Sequence, residues 1–224
     1  MESNGISLSK WVELHQPISA PRAGDRGAVH LVSLRDAADP RYLSTLQHGN
    51  GSMSLSYGAG FGTALAGLAD PRSSHGFHLA IGAVENSSST GSVYLVSLSV
   101  HGGITRWTRI TSGHNNFTAT LSSGASFGSA LAVLPNAHAS NRSVTLAVSA
   151  RQNQRVVSGP TGVRVHGSVY ILQLDADGLV VDYRTIEASA GGFHALPQSF
   201  AGSLAVVPDL DGDGVAELAV GATL

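Results

Sequence analysis

Asp209, Asp211, Asp213 and Glu217 put four carboxylates at the first, third, fifth and ninth positions of the segment Asp209-Leu-Asp211-Gly-Asp213-Gly-Val-Ala-Glu217. Alternating acidic side chains around a glycine-bent turn supply the hard oxygen donors that a divalent cation takes, with calcium the expected ion. The ligand set expected from this spacing is a side-chain oxygen from each of Asp209, Asp211 and Asp213, the backbone carbonyl of Val215 and the carboxylate of Glu217. Gly214 supplies the bend that carries the chain round the ion. An EF-hand is excluded, because its loop closes with a bidentate Glu at position twelve and runs between two helices. The twelfth residue here is Val220, inside an apolar stretch. Without an ion the four anions repel one another. A solvated Asp/Gly-rich turn is the other reading of the same residues.

The acidic segment lies between Gly202-Ser-Leu-Ala-Val-Val207 and Leu218-Ala-Val-Gly-Ala222, two apolar stretches of strand length, and so forms the turn of a β-hairpin. That hairpin belongs to a repeat. Phe61-Gly-Thr-Ala-Leu-Ala-Gly-Leu68 recurs as Phe127-Gly-Ser-Ala-Leu-Ala-Val-Leu134 and as Phe200-Ala-Gly-Ser-Leu-Ala-Val-Val207, at spacings of 66 and 73 residues. Leu79-Ala-Ile-Gly-Ala83 returns as Leu146-Ala-Val-Ser-Ala150 and Leu218-Ala-Val-Gly-Ala222. A third segment, Gly27-Ala-Val-His-Leu-Val-Ser-Leu34, returns as Gly91-Ser-Val-Tyr-Leu-Val-Ser-Leu98 and Gly167-Ser-Val-Tyr-Ile-Leu-Gln-Leu174. After a turn comes a fourth, such as Ile104-Thr-Arg-Trp-Thr-Arg-Ile110 or Leu179-Val-Val-Asp-Tyr-Arg-Thr-Ile186, which alternates apolar with polar as an outer, half-exposed strand does. The first two segments of each unit are small and apolar throughout, which predicts strands packed on both faces.

Four antiparallel strands repeated head to tail make the blades of a β-propeller. A β-sandwich would give no reason for the sequence to repeat at this period. Phe-Gly at the head of a unit, Gly-Ala some twenty residues later and an acidic loop between them resemble the FG-GAP repeats of integrin α-subunit propellers and their microbial and algal relatives. The resemblance runs from about Pro17 to the end of the chain. It implies that positions one, three, five and nine of the loop hold calcium, with a carbonyl at seven, which are again Asp209, Asp211, Asp213, Glu217 and Val215; Glu217 stands where Asp is more usual.

The expected fold is therefore all-β, a partial β-propeller of about three four-stranded antiparallel blades. The units run over residues 1–60 (the latter half of a preceding blade), 61–126, 127–199 and 200–224 (the first half of a further repeat, with the calcium loop), all in one propeller domain. Closed propellers take about four to eight blades, so the expectation is a fragment of a longer protein. The loop equivalent to Asp209–Glu217 is degenerate in the other units. Asp70-Pro-Arg72-Ser-Ser74-His-Gly76-Phe-His78 keeps one carboxylate, and Asn136-Ala-His138-Ala-Ser140-Asn141 keeps none, so neither is expected to hold calcium. In the first, Arg72 paired with Asp70 could replace the cation, though an ordinary exposed turn is the plainer reading.

Composition sets the outer limits. With 224 residues, 42% hydrophobic and 12% charged, the chain can bury a substantial core, and its 27 glycines mark many tight turns. Cysteine is absent, so disulfides and thiolate metal sites are excluded. A net charge of -2, the single lysine Lys10 and scattered arginines argue against a nucleic-acid surface. No apolar run is long enough to span a bilayer, and the first residues lack the pattern of a signal peptide. Asn50, Asn86, Asn116 and Asn141 head Asn-x-Ser/Thr sequences, which fits either secretion and glycosylation or ordinary turns.

No GxSxG, HExxH, Walker or Rossmann pattern is present, so no enzyme activity is expected. His75 and His78 are closely spaced but lack a third ligand for zinc. Trp11, Trp107, Tyr94, Tyr170 and Tyr183 are expected to fill gaps between blades or cover outer strands. The functional expectation is a calcium-binding, non-catalytic propeller module for extracellular or cell-surface protein recognition or adhesion. Its partner would be a protein ligand or a neighbouring domain, with glycans as a further possibility and with neither nucleic acid nor membrane insertion. The alternative is a carbohydrate-binding or enzyme-associated propeller appendage.

Overall fold

Short apolar segments separated by glycine-bearing turns fold here as antiparallel strands. A computed structural model describes residues 26–34, 40–68, 77–84, 89–135, 144–156, 164–187 and 199–223. Among them no α-helix occurs, and Asn50–Ser52 form one 3-10 turn. The strands are β1 (Val29–Ser33), β2 (Arg41–Leu46), β3 (Phe61–Gly67), β4 (Leu79–Ala83), β5 (Ser92–Leu98), β6 (Ile104–Ile110), β7 (Phe127–Leu134), β8 (Val144–Val156), β9 (Arg164–Leu174), β10 (Val180–Ile186), β11 (Ser199–Val207) and β12 (Glu217–Thr223). They pair as two four-stranded sheets, β3-β4-β5-β6 and β7-β8-β9-β10, and two two-stranded sheets, β1-β2 and β11-β12. Every ladder between them is antiparallel. This is the all-β architecture of a partial β-propeller.

Successive side chains of a strand point to opposite faces of its sheet, and each full blade uses both faces. Leu79, Ile81, Tyr94 and Val96 join Val29, Leu31 and Leu46 in a core between the first two sheets. From the same strands Ala80, Val93 and Leu95 turn the other way, into a core with Phe127, Leu146, Val148 and Tyr170 of the next sheet. Ala132, Ala147 and Val169 then meet Phe200, with Leu204 and Val220 packed alongside. The cores thus lie between blades.

The two-faced burial expected of the first two strands holds for β4, which is buried throughout. It fails for β3, where only Phe61 is buried, because β3 is an edge of its sheet. The third strand β5 is instead almost wholly enclosed. The outer strands β6 and β10 are largely half-exposed or exposed, as their alternation predicts. Tyr94 and Tyr170 lie in the cores between blades, Tyr183 and Trp107 pack against them, and Trp11 lies outside the described residues.

The recurring glycine that heads each third repeat segment, ahead of β1 and β5 and within β9, explains how blades join. Gly27 and Gly91 form parallel bridges with Phe61 and Phe127, the first residues of the next blades' inner strands. Phe61 N–H donates to Arg26 O at 3.0 Å, and Phe127 N–H donates to Thr90 O at 2.9 Å. Gly27, Gly91 and Gly167 have φ of +81°, +86° and +105°. A Cβ on Gly27 or Gly91 would lie 2.6 Å from the nitrogen of the following Phe, and one on Gly167 would lie 2.8 Å from the Phe200 carbonyl carbon. Only glycine meets both demands, a left-handed φ and a backbone pressed against it. The second residue of the Phe-Gly pair also has positive φ, +101° at Gly62 and +92° at Gly128, and Ala201 holds +66° in the last unit.

Gly91→Ala is expected to cost at least ~2 kcal/mol of unfolding free energy, since strain and steric overlap combine there. Gly113→Ala, with φ +76° but nothing within 4 Å of the added Cβ, should cost only ~1–2 kcal/mol. Urea denaturation of the two variants would check this; equal losses would show that the junction imposes no special demand.

Candidate metal centre

β11 and β12 position the acidic loop. Their register sets Val207 opposite Glu217 and Val206 opposite Leu218, with Leu204 opposite Val220. The apolar partners Leu204, Val206, Leu218 and Val220 pack against the preceding blade. The hairpin is therefore anchored by its core-facing side, and residues 208–216 project from its end. Glu217, the first residue of β12, is half-buried; Asp209, Asp211 and Asp213 are exposed.

Within the loop the carboxylates are turned inward by backbone amides. Asp209 Oδ1 accepts from Gly212 N–H at 2.7 Å and its Oδ2 from Gly214 N–H at 2.8 Å. Asp211 Oδ1 accepts from Asp213 N–H at 3.2 Å, and Asp213 Oδ1 from Val215 N–H at 2.7 Å. Glu217 Oε2 reaches back across the loop to Leu210 N–H at 2.7 Å. Gly212 and Gly214 both have positive φ, +81° and +85°, so the chain bends twice where the sequence assigned one bend to Gly214. One oxygen from each of Asp209, Asp211, Asp213 and Glu217 lies within 4.8 Å of every other.

The four predicted side-chain ligands are thus together, and Val215 closes the loop beside them through its N–H. Gathering like charges this closely is unfavourable by about 1 kcal/mol per pair even in a water-like dielectric. The donor set, four carboxylates whose hard oxygens keep lone pairs after their amide bonds, fits calcium. The amide contacts and the second left-handed glycine were not anticipated from sequence; the Asp-x-Asp-Gly-Asp-Gly spacing was their only signal.

The equivalent loops fall elsewhere. Residues 69–76, with Asp70, Arg72 and His75, and residues 136–143 lie outside the described residues. His78, at the position in the second unit that Glu217 holds in the last, is described. Its Nδ1 accepts Leu98 N–H from the adjacent strand β5 at 2.9 Å, while its own backbone pairs with Leu68 and Val96. That nitrogen is occupied by the sheet.

Residues 200–224 match the model of the FG-GAP repeat family. That match covers the last hairpin and its acidic loop, in a chain with the architecture of a partial propeller. No curated protein matches the chain.

Burial holds the His78 pKa below the ordinary 6.5 by desolvation. In the unfolded chain His78 binds its proton at a higher pH than in the fold, so its contribution to stability is complete above pH 6.5. That contribution is lost as pH falls through the lowered folded value. Protonation also removes the Nδ1 acceptor for Leu98. Unfolding midpoints measured from pH 7.5 down to pH 5 should therefore fall less steeply in His78→Gln than in the wild type; parallel profiles would contradict the assignment.

Proposed function

We propose that this chain is a calcium-binding, non-catalytic FG-GAP propeller module that serves extracellular protein recognition or cell adhesion. The observation that carries the reading is the convergence of Asp209, Asp211, Asp213 and Glu217 on one hairpin loop within the matched repeat. Calcium at that loop is structural: it neutralises the crowded carboxylates and fixes the loop, with the Val215 carbonyl as a further oxygen ligand. Binding to the folded chain alone stabilises it by mass action. Loops supported by the blades then contact a protein partner, and Asn-x-Ser/Thr sequences that face solvent are read as glycan acceptors of a secreted glycoprotein. Fold alone does not assign the partner.

Calorimetric titration with Ca²⁺ is expected to give one site with a Kd of roughly 0.1–1 mM, in the range of extracellular modules, and Asp211→Ala should abolish the heat. At about 10 mM Ca²⁺ the wild type should gain roughly 1.4–2.7 kcal/mol of unfolding free energy. Equal heats from wild type and variant would remove the loop from this account. Cells plated on immobilised chain should attach with calcium and detach on chelation; attachment indifferent to chelation would contradict the recognition role.

A further inference from the structure

Two Asn-x-Ser/Thr sequences, at Asn50 and Asn116, lie at different places in one recurring turn: Gly49–Met53 and Gly113–Phe117 carry the same backbone hydrogen bonds, so Asn116 corresponds to Ser52 and Asn50 to His114. Both fall in a connection between one blade's outer strand and the next blade's inner strand, β2 to β3 and β6 to β7. The backbone treats them differently. Asn50 opens the 3-10 turn and is half-buried, and its Oδ1 accepts Gln47 N–H at 2.7 Å. The next residue, Gly51, sits against Ile104 and takes Trp107 Nε1–H on its carbonyl at 3.1 Å.

Asn116 is the third residue of a turn from His114 to Phe117, closed by Phe117 N–H donating to His114 O at 3.1 Å. Its two central residues, Asn115 and Asn116, have φ of +55° and +61°, the doubly left-handed pattern in which Asn is preferred. Asn115 spends its carboxamide inward, donating from Nδ2 to Gly178 O at 2.6 Å. Phe117 is buried and stacks on Phe127, with ring centroids 5.0 Å apart. Asn116 between them is exposed, and no hydrogen bond occupies its carboxamide among the described residues. Thr118, which completes the sequence, is exposed as well. The neighbours on either side clamp the turn while its tip faces water.

We propose that Asn116 is the acceptor of an N-linked glycan and that Asn50, in the same connection one repeat earlier, is not carried glycosylated into the fold. The proposal rests on the extracellular reading above. The donor is a lipid-diphosphate-linked oligosaccharide, the co-reactant that a secretory glycosyltransferase supplies. Asn116 Nδ2 attacks the anomeric carbon and a new C–N bond forms. The bond from that carbon to the diphosphate oxygen breaks, the lipid diphosphate leaves with the electron pair, and the amide proton passes to a base of the transferase. A glycan added to the nascent chain must later be accommodated by the native structure. At Asn116 it extends into solvent from a carboxamide that supports nothing, whereas at Asn50 it grows from a half-buried group fixed to the Gln47 amide.

The test is secretion of the 224-residue chain from eukaryotic cells behind a heterologous signal sequence, followed by enzymatic deglycosylation, which converts a formerly glycosylated Asn to Asp. Peptide mass spectrometry should find most of the Asn116 peptide converted and the Asn50 peptide unconverted. Thr118→Ala and Asn116→Gln should each remove the Asn116 conversion, and Ser52→Ala should leave it unchanged. An unconverted Asn116 in the secreted chain, or occupancy at Asn50 equal to or above it, overturns the proposal. Because the signal is supplied, this outcome is independent of the extracellular reading, which fails separately if the native protein is recovered from the cell interior.

Discussion

Backbone pressed against backbone at the glycine–phenylalanine junctions is the constraint on which the rest of the structure depends. A sheet with two apolar faces is unstable alone and must stack on neighbours. What fixes the stacking here is a short parallel bridge from the start of one blade's third strand to the head of the next blade's inner strand. The junction requires a left-handed residue without a side chain: Gly27 and Gly91 supply it at the two bridges, and Gly167, inside β9, is pressed as closely against the Phe200 backbone. A related contact lies one step along. A Cβ on Gly82 would lie 3.0 Å from the Gly128 carbonyl carbon, whereas the next unit has Ser149 at that position, and its hydroxyl donates to Ala201 O. One junction is closed by removing a side chain and the other by a side chain that bonds to what it meets.

This stacking also holds the acidic hairpin in place. Phe200 enters the junction with Gly167, the apolar side of β11-β12 packs on the preceding blade, and the loop is left at the free end of a fixed hairpin. Its amides and carboxylates then organise one another, each Asp accepting an N–H two to five residues on. Holding the acids together before an ion arrives lessens the ordering that binding must impose, at the expense of repulsion that a cation relieves. Glu217 differs from the aspartates in being half-buried and attached to a strand, so it is the carboxylate of the cluster most rigidly set by the fold.

Much of this was legible in the sequence, for physical reasons. The junction tolerates only glycine, so Gly27, Gly91 and Gly167 recur in step with the Phe that follows each of them, and the repeat betrays the blades. Carboxylates at alternating positions betray the loop because few other needs gather like charges so closely. The β8–β9 hairpin was less legible. Its pairing continues past a bulge to Val156 and Arg164, through Arg151-Gln-Asn-Gln-Arg155, a stretch with no apolar alternation to announce a strand. Most of the extra length of that unit falls there. β3 reads as apolar yet is an edge, a position that its uniformly apolar pattern, unlike the alternation of β6 and β10, does not announce. His78 could be seen as a histidine near a turn, but its bond to Leu98 depends on a partner twenty residues away.

If the folded hairpin presents a preformed oxygen cage at one loop, every N–H that holds a carboxylate reports on the same event, and amide chemical shifts followed during a Ca²⁺ titration read it out. Large saturable shifts are expected at Leu210, Gly212, Asp213, Gly214 and Val215, with the junction amides of Phe61 and Phe127 unmoved. Shifts spread thinly over the acidic surface without saturation, or none at the loop, would contradict the preformed cage.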